Sequence, residues 1–149
     1  MTNVVSALRH LTLVICLLLL LPAAGNAANL VARADGTVLD RQSGLVWQGM
    51  DDGTPRPWGN AETFCKELAL GGLHGWRLPQ RSELQTLLRK DGPAPLIDDS
   101  LFPLTKALKY WTAERDAKFE NFAWTVGFGS GLVGLDDVGR MNFVRCVRN

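Results

Sequence analysis

Apolar residues at helical spacing mark the first predicted element of the chain. They fall at positions i, i+3, i+4 and i+7, namely Ala61, Phe64, Cys65 and Leu68. This spacing places all four on one face of an α-helix. Asn60 is a residue type that caps helix N-termini, and Gly71-Gly72 favours a left-handed stop. We therefore predict a helix that starts at Asn60, is ended by Gly71-Gly72 and buries Cys65.

A second helix is predicted from Gln80 to Leu88 or Arg89. Its buried stripe consists of leucines, namely Leu84, Leu87 and Leu88. The turn sequence Asp91-Gly92-Pro93 ends it.

The remaining segments have the signatures of strands and turns. Thr37–Leu39 and Leu45–Gln48 flank the turn Arg41–Gly44, which predicts a hairpin. Three later segments are candidate strands, namely Tyr110–Ala113, Ala123–Phe128 and Met141–Val147. Five glycines punctuate the region from Gly127 to Gly139, so Gly129–Arg140 forms either a long surface loop or a twisted hairpin. Two early helices followed by antiparallel strands predict an α+β domain.

The N-terminus has the organisation of a secretory signal peptide. An apolar run from Leu11 to Leu21 is followed by Pro22 and by small residues at Gly25-Asn26-Ala27. We expect residues 1–27 to be the signal peptide and residues 28–149 to be one domain in the periplasm or outside the cell. The run is shorter than the roughly 20 residues that span a bilayer. Retention of the segment as an anchor is the alternative.

Charge gives no reason to expect nucleic acid as a partner. The chain has 16 Lys and Arg residues against 15 Asp and Glu, and removal of Arg9 with the signal peptide leaves 15 of each kind. A protein with balanced charge has no general attraction for a polyanion. We also expect no membrane span after signal cleavage.

Two cysteines, Cys65 and Cys146, remain after cleavage. An even number in an oxidising compartment predicts a disulfide between them. Two unpaired buried thiols are the alternative.

Candidate catalytic chemistry is sparse. After cleavage His74 is the only histidine, so any catalytic triad would depend on it. Oxidised cysteines would also be lost as zinc ligands. We therefore predict no catalytic residue, no metal site and no enzyme. A hydrolase would require a pair of carboxylates with separated pKa values, such as Glu114 facing Asp136.

A series of ordered motifs resembles the Lcl C-terminal domain family, which consists of small extracytoplasmic bacterial domains with a C-type-lectin-like fold. The motifs include Gly44–Gln48, Gly75–Pro79, Glu83-Leu84 and Arg145–Arg148. The resemblance implies two helices packed on twisted antiparallel sheets, with N- and C-terminal strands paired. We assign structural roles in this scaffold to Trp76, Arg77, Pro79, Glu83 and Arg145. Arg77 and Glu83 are expected to form an ion pair. Gln80 departs from the Ser or Thr usual in the family, so we expect only half of a capping box there.

The resemblance favours a non-catalytic binding domain that recognises glycans or glycosaminoglycan-like polymers through its late loops. The candidate ligand residues lie in 114–121 and 129–140, namely Glu114, Arg115, Lys118, Asp136, Asp137 and Arg140. The alternative is a protein-interaction or structural component of the cell envelope. A contiguous exposed patch at Leu132, Val133 and Leu135 would favour that alternative.

Calcium and exposed tryptophans are further ways in which such folds bind sugars. The usual Glu-Pro-Asn and Trp-Asn-Asp segments are absent, so we predict no cofactor. Structural calcium at Asp136-Asp137 or Asp51-Asp52 is a minor alternative. We expect four of the five tryptophans to be buried, namely Trp47, Trp76, Trp111 and Trp124, and we leave Trp58 unassigned.

Overall fold

A computed structural model describes residues 29–149, so the predicted signal peptide lies outside the described residues. In chain order the elements are β1 (Leu30–Ala32), β2 (Thr37–Asp40), β3 (Val46–Gln48), α1 (Trp58–Glu67), α2 (Arg81–Gln85), β4 (Lys109–Arg115), β5 (Phe122–Gly127), β6 (Val133–Asp137) and β7 (Val147–Arg148). Neither helix has the length or apolar character needed to cross a bilayer within this part of the chain.

The strands form two antiparallel sheets, one in the order β1-β2-β3-β7 and one in the order β4-β5-β6. Together with the two short helices they make the α+β architecture that the sequence predicts. The predicted hairpin is β2–β3, in which Val38 pairs with Trp47. The C-terminal strand β7 pairs with β3 through Trp47 and Val147, rather than with the N-terminal strand β1.

The helix α1 begins and ends earlier than its sequence predicts. Pro57 is the N-cap residue, so Asn60 lies inside the helix and does not cap it. The Trp58 N–H donates to the carbonyl of Val138 at 2.9 Å. This tertiary contact satisfies one of the N–H groups that the first turn of a helix leaves without an intrahelical partner. The helix ends at Glu67 because Leu68 is already extended, and Gly71-Gly72 forms a separate turn. The predicted buried positions Ala61 and Cys65 are confirmed.

The helix α2 is also shorter than predicted. Thr86 ends it, and its hydroxyl donates to the Glu83 carbonyl at 2.6 Å. Beyond Gln85 the backbone N–H groups of Leu87 and Leu88 donate to carbonyls three residues earlier, which is turn geometry. The expected Glu83 half of the capping box is present, in which the Gln80 N–H donates to Glu83 Oε2 at 2.7 Å.

The late region differs from its prediction at two places. Gly129–Arg140 contains strand β6, so the twisted hairpin is correct and the long loop is not. Met141–Val147 is not one strand, because this segment crosses between the sheets. Asn142 bridges to Arg56, Phe143 to Tyr110, and Val147 to both Arg77 and β3. A single straight strand cannot make all of these contacts.

Two clusters of buried side chains make the core. The first contains Val38, Trp47, Leu84, Leu87, Ile97, Phe102, Tyr110, Val126, Phe128 and Val147. The second contains Val46, Ala61, Cys65, Trp76, Leu78, Trp111, Ala123, Val144 and Cys146. Neighbouring residues of a strand face opposite sides, so Tyr110 of β4 packs in the first cluster and Trp111 in the second. The β4-β5-β6 sheet is therefore covered on both faces.

The predicted disulfide is present between Cys65 and Cys146, and it joins α1 to the segment before β7. Both cysteines are fully buried in the second cluster. Three of the predicted core tryptophans, Trp47, Trp76 and Trp111, are buried. The prediction that Trp124 is buried in the core is wrong, because this side chain is only half-buried. Its ring is covered by the Arg81 guanidinium, which lies 4.3 Å from the ring centre.

Candidate functional site

An open groove of about 680 Å³ lies where the start of β4, the end of β6 and the segment after β6 meet. Its lining residues are Leu108, Lys109, Asp136, Gly139, Arg140, Met141, Asn142 and Phe143. It combines charged, amide and apolar side chains in one concave site, which makes it the candidate binding site.

Short backbone contacts hold the groove in shape. The Asp137 carboxylate accepts from the Gly139 N–H at 2.8 Å, and the Asp137 carbonyl accepts from the Arg140 N–H at 2.8 Å. Aspartate favours such turns because its short side chain bonds to the backbone two residues later. The Phe143 N–H donates to the Lys109 carbonyl at 3.0 Å, which attaches the far wall to β4.

The polar wall of the groove is a three-residue network centred on Asp136. Its Oδ2 accepts from Lys109 Nζ and from Asn142 Nδ2, both at 3.1 Å. Burial alone would raise the pKa of Asp136, but the bonds from Asn142 and Lys109 outweigh it and lower the pKa. The carboxylate is therefore ionised at neutral pH and fixes both donors.

Arg140 supplies a cation that this network does not use. Among residues 29–149 its guanidinium makes no hydrogen bond or ion pair. An arginine presents five N–H donors in a planar fork, suited to carboxylate, sulfate or phosphate groups and to hydroxyl oxygens. The groove thus combines one free cation with a fixed set of donors and acceptors.

Beneath the groove, a buried network connects β4 to two loops. The Arg145 guanidinium is fully buried, and its Nη2 lies 3.1 Å from Asp51 Oδ2 and donates to Thr105 Oγ1 at 2.7 Å. The Tyr110 hydroxyl donates to the same Asp51 oxygen at 2.6 Å. Burial, and then this bond, raise the pKa of Tyr110. Tyr110 packs against Phe143 of the groove wall, with ring centroids 5.5 Å apart.

The structure brings only part of the predicted ligand set together. Asp136 and Arg140 line the groove, and Asp137 braces its turn. Glu114 instead accepts from the Arg81 backbone N–H at 3.2 Å, and its carboxylate lies 3.6 Å from Arg81 Nε. Glu114 and Asp136 are therefore paired with different cations, which does not support the acid–base pair that a hydrolase would require.

The other two predicted ligand residues lie at the β4–β5 connection. Arg115 covers the ring of Trp58 at 5.6 Å and donates to the Glu120 carbonyl. Lys118 lies 5.3 Å from the ring centre of the exposed Phe119. Neither side chain lines the groove.

The predicted structural residues form the scaffold around α2 and β7. Arg77 binds Glu83 through two bonds of 2.7 and 2.9 Å, which is the predicted ion pair. Burial would raise the pKa of Glu83, but the bonds from Arg77 and the Gln80 N–H lower it. Trp76 Nε1 donates to the Leu73 carbonyl at 3.0 Å, and the Pro79 carbonyl accepts from the Ala113 N–H at 2.8 Å.

The sequence does not identify five groove residues, namely Leu108, Lys109, Met141, Asn142 and Phe143. Lys109 is the first residue of β4, and its partner Asp136 lies 27 positions away. Met141 and Asn142 fall in the segment predicted as a strand, and that prediction hides the exposure of Met141. One feature of the sequence could have indicated these residues: Arg140 and Asn142 are polar, flank Met141 and follow directly after an Asp-rich turn.

The carboxylate pairs considered for calcium are occupied by the protein's own donors. Asp51 binds Arg145 and Tyr110, and Asp52 binds Arg56 at 2.5 Å. Within residues 29–149, no three His, Cys, Asp or Glu side chains converge as a metal site requires.

No curated protein matches the chain in sequence. The model of the Lcl C-terminal domain matches residues 36–148. This range contains both helices, strands β2 to β7, both cysteines of the disulfide and every residue of the groove. The chain belongs to the Lcl C-terminal domain family.

Proposed function

We propose that this protein is a non-catalytic binding domain of the periplasm or cell exterior, with a C-type-lectin-like arrangement, and that it recognises glycans through the groove at Asp136 and Arg140. The observation that carries the proposal is the pairing of a fixed donor–acceptor network with an uncommitted arginine in one open groove. Sugar hydroxyls both donate and accept hydrogen bonds, so they match a wall containing an ammonium, a carboxylate and an amide.

The electrostatics of the groove favour a glycan that carries acidic groups. Lys109 and Asp136 neutralise each other, which leaves the Arg140 guanidinium as the free charge of the polar wall. A carboxylate or sulfate on a sugar would bind this guanidinium through charge-assisted bonds. Binding should therefore weaken as the salt concentration rises.

The state of the remaining reactive groups supports a binding role. The cysteines are joined in a buried disulfide, and Glu114 and Asp136 are each paired with a cation. The His74 side chain is exposed, and the backbone carbonyl of this residue accepts from Arg148 at 2.7 Å. The buried disulfide also favours an oxidising compartment.

A protein partner in the cell envelope is the second candidate function. The predicted patch does not form as a whole, because only Leu132 is strongly exposed and Val133 packs against the first core cluster. Exposed aliphatic side chains do flank the groove at Leu108 and Met141, and such side chains are common at protein interfaces.

A glycan array tests the proposal. We expect saturable binding of the disulfide-bonded protein to a subset of acidic glycans, with or without calcium. Arg140→Ala should reduce that binding by about tenfold, since a charge-assisted bond to a ligand contributes roughly 1.5 kcal/mol or more. The control is Arg41→Ala, which removes an exposed arginine from the turn between β2 and β3. A blank array, or equal effects of the two variants, would contradict glycan binding at the groove.

A further inference from the structure

The two cations that line the groove are in different electrostatic states. Lys109 Nζ lies 3.1 Å from Asp136 Oδ2, whereas the Arg140 guanidinium has no ionic partner within residues 29–149. Both side chains are open to a ligand, since Arg140 is exposed and the side chain of Lys109 is 52 % exposed. A ligand in the groove therefore meets two cations, of which only Arg140 carries an uncompensated charge.

The Asp136 carboxylate is held beside Lys109 at both of its oxygens. Its Oδ2 accepts from Lys109 and from Asn142 Nδ2, and its Oδ1 accepts from the Asp137 backbone N–H at 3.1 Å. Asn142 is itself buried, and its backbone exchanges two hydrogen bonds with that of Arg56. The carboxylate cannot turn away from Lys109 without breaking these bonds, so its negative charge stays in place when a ligand arrives.

This fixed carboxylate has opposite effects on two kinds of ligand group. A sugar hydroxyl can bind at Lys109, because it donates to the carboxylate and accepts from the ammonium. A sulfate or a carboxylate only accepts hydrogen bonds, and it would bring a second negative charge next to Asp136, where like charges repel. The groove thus offers one position for an acidic group, at Arg140, and one position for a hydroxyl, at Lys109.

We infer that Asp136 is a specificity-determining residue, which limits the groove to one acidic group of a glycan and favours a hydroxyl at Lys109. This inference rests on the proposed glycan recognition and adds the number and the placement of the acidic groups that a ligand carries there. The role of Asp136 is the exclusion of ligands that would place two acidic groups in the groove.

The test compares monosulfated lactose with a set of disulfated lactoses, whose isomers differ in the spacing of the two sulfates. Isothermal titration calorimetry gives the Kd of each compound for the wild type and for Asp136→Asn, in which a neutral amide of nearly the same shape replaces the carboxylate. We expect the wild type to show no preference for the disulfated compounds. Asp136→Asn should bind at least one disulfated isomer about tenfold more tightly than monosulfated lactose, because the uncompensated Lys109 ammonium then adds one charge-assisted bond.

Two controls separate this role from a change in net charge. Glu62→Gln also removes a carboxylate that pairs with a lysine, Lys66 at 3.2 Å, but it lies on α1 outside the groove and should not create the preference. In a Lys109→Met background, Asp136→Asn should no longer create it, because the second cation is missing. Thermal unfolding shows that each variant is folded, and Asp136→Ser repeats the measurement with a smaller neutral side chain.

Three results would overturn the inference: a wild type that already prefers a disulfated isomer about tenfold, neutral variants at Asp136 that gain no preference, or a gain that persists without Lys109. Any of these results, together with array binding that depends on Arg140, would leave the proposed glycan recognition intact. A blank array with a Lys109-dependent gain in Asp136→Asn would contradict glycan recognition by the wild type and support the exclusion of a second acidic group.

Discussion

At the scale of single residues, Arg145 connects the segment before β7 to two earlier loops. Its two terminal nitrogens bind the carbonyls of Gln48 and Gly49, the carboxylate of Asp51 and the hydroxyl of Thr105. The Phe102 ring lies 4.9 Å from its guanidinium carbon. Burial lowers the pKa of Arg145, and the Asp51 carboxylate opposes that effect. The residue is therefore a scaffold cation rather than a ligand contact.

Loss of this cation should be among the most damaging single substitutions. Arg145→Met leaves the buried Asp51 carboxylate without its partner, and breaking a buried ion pair in this way costs about 3–5 kcal/mol. Urea denaturation measures the change in the free energy of unfolding. Arg148→Met is the control, because it loses a bond to the His74 carbonyl and should cost about 1 kcal/mol. Equal losses for the two variants would contradict the role given to Arg145.

The ion pair between Arg77 and Glu83 predicts how stability depends on pH. The pKa of Glu83 is lower in the folded protein than in the unfolded chain, where it is about 4.3. Its contribution is therefore fully present above that value and is lost as the pH falls through the folded pKa. Asp136, whose pKa is also lowered, acts in the same direction.

We expect the free energy of unfolding to fall as the pH drops from about 5 to 3, and Glu83→Gln to make this decline shallower. At pH 7 the same variant should be less stable by about 1–2 kcal/mol, since two charge-assisted bonds are weakened at a partly buried site. Urea denaturation across this pH range measures both effects. An acid transition as steep as that of the wild type would show that Glu83 contributes nothing to it.

Residue roles were predictable where partners are close in sequence. Arg77 and Glu83 are six positions apart and belong to neighbouring motifs, so their pairing follows from the sequence. Arg145 and Asp51 are 94 positions apart, and no feature of the sequence around Asp51 indicates that its side chain has a buried partner. The sequence thus indicated a scaffold role for Arg145 without indicating its contacts.

At the scale of elements, the turn at Gly71-Gly72 shows how α1 connects to the first sheet. Both glycines have positive φ, at 63° and 70°. A Cβ at Gly71 would lie 2.8 Å from Asp35 Oδ2, whereas a Cβ at Gly72 meets no atom within 4 Å. Asp35 itself binds the N–H and hydroxyl of Thr37 at the start of β2. Gly71 is therefore needed for close packing as well as for its backbone conformation.

The two glycines make a matched pair for testing this contact. Gly72→Ala should cost about 1 kcal/mol from backbone strain alone. Gly71→Ala should cost more than Gly72→Ala, because the Asp35 side chain must move and release Thr37. The midpoints of urea denaturation give the difference directly. Equal midpoints would mean that Asp35 moves aside without cost.

Hydrophobic periodicity predicts the elements that depend on residues close in sequence. It misses the features that depend on tertiary contacts. The buried face of α1 and the β2–β3 hairpin follow from spacing and turn residues. The start of α1 depends on Trp58 donating to Val138, 80 positions away. The segment 141–147 reads as one strand because its residues suit strands, but it is divided among contacts with Arg56, Tyr110 and Arg77.

At the scale of the whole molecule, the disulfide and the Arg145 network fix a frame on which the late loops are displayed. Cys146 and Arg145 are adjacent, so one segment is tied both to α1 and to the loops at Asp51 and Thr105. Binding residues on loops held by a rigid scaffold are a common arrangement. The groove lies at the edge of this frame, next to Tyr110.

The candidate site was only partly predictable at this scale. The sequence allows Asp136 and Arg140 to be selected, because its resemblance to lectin-like folds indicates the late loops as the ligand surface. It could not reveal that Lys109 and Asn142 converge on Asp136, since that depends on the register of β4 against β5 and β6. It also predicts that Arg115 and Lys118 contact the same ligand as Asp136 and Arg140, although in the structure both lie at the β4–β5 connection.

The most direct test of groove binding is a nitrogen–proton NMR titration with the strongest binder from the glycan array. We predict that the side-chain amide of Asn142, the Arg140 Nε–H and the backbone N–H of Met141 shift and saturate together. Signals from Gln42 and Ser43, which line a separate groove of about 400 Å³, should stay in place. Shifts confined to Gln42 and Ser43, or to the β4–β5 connection, would contradict the assignment of the binding site to the groove at Asp136 and Arg140.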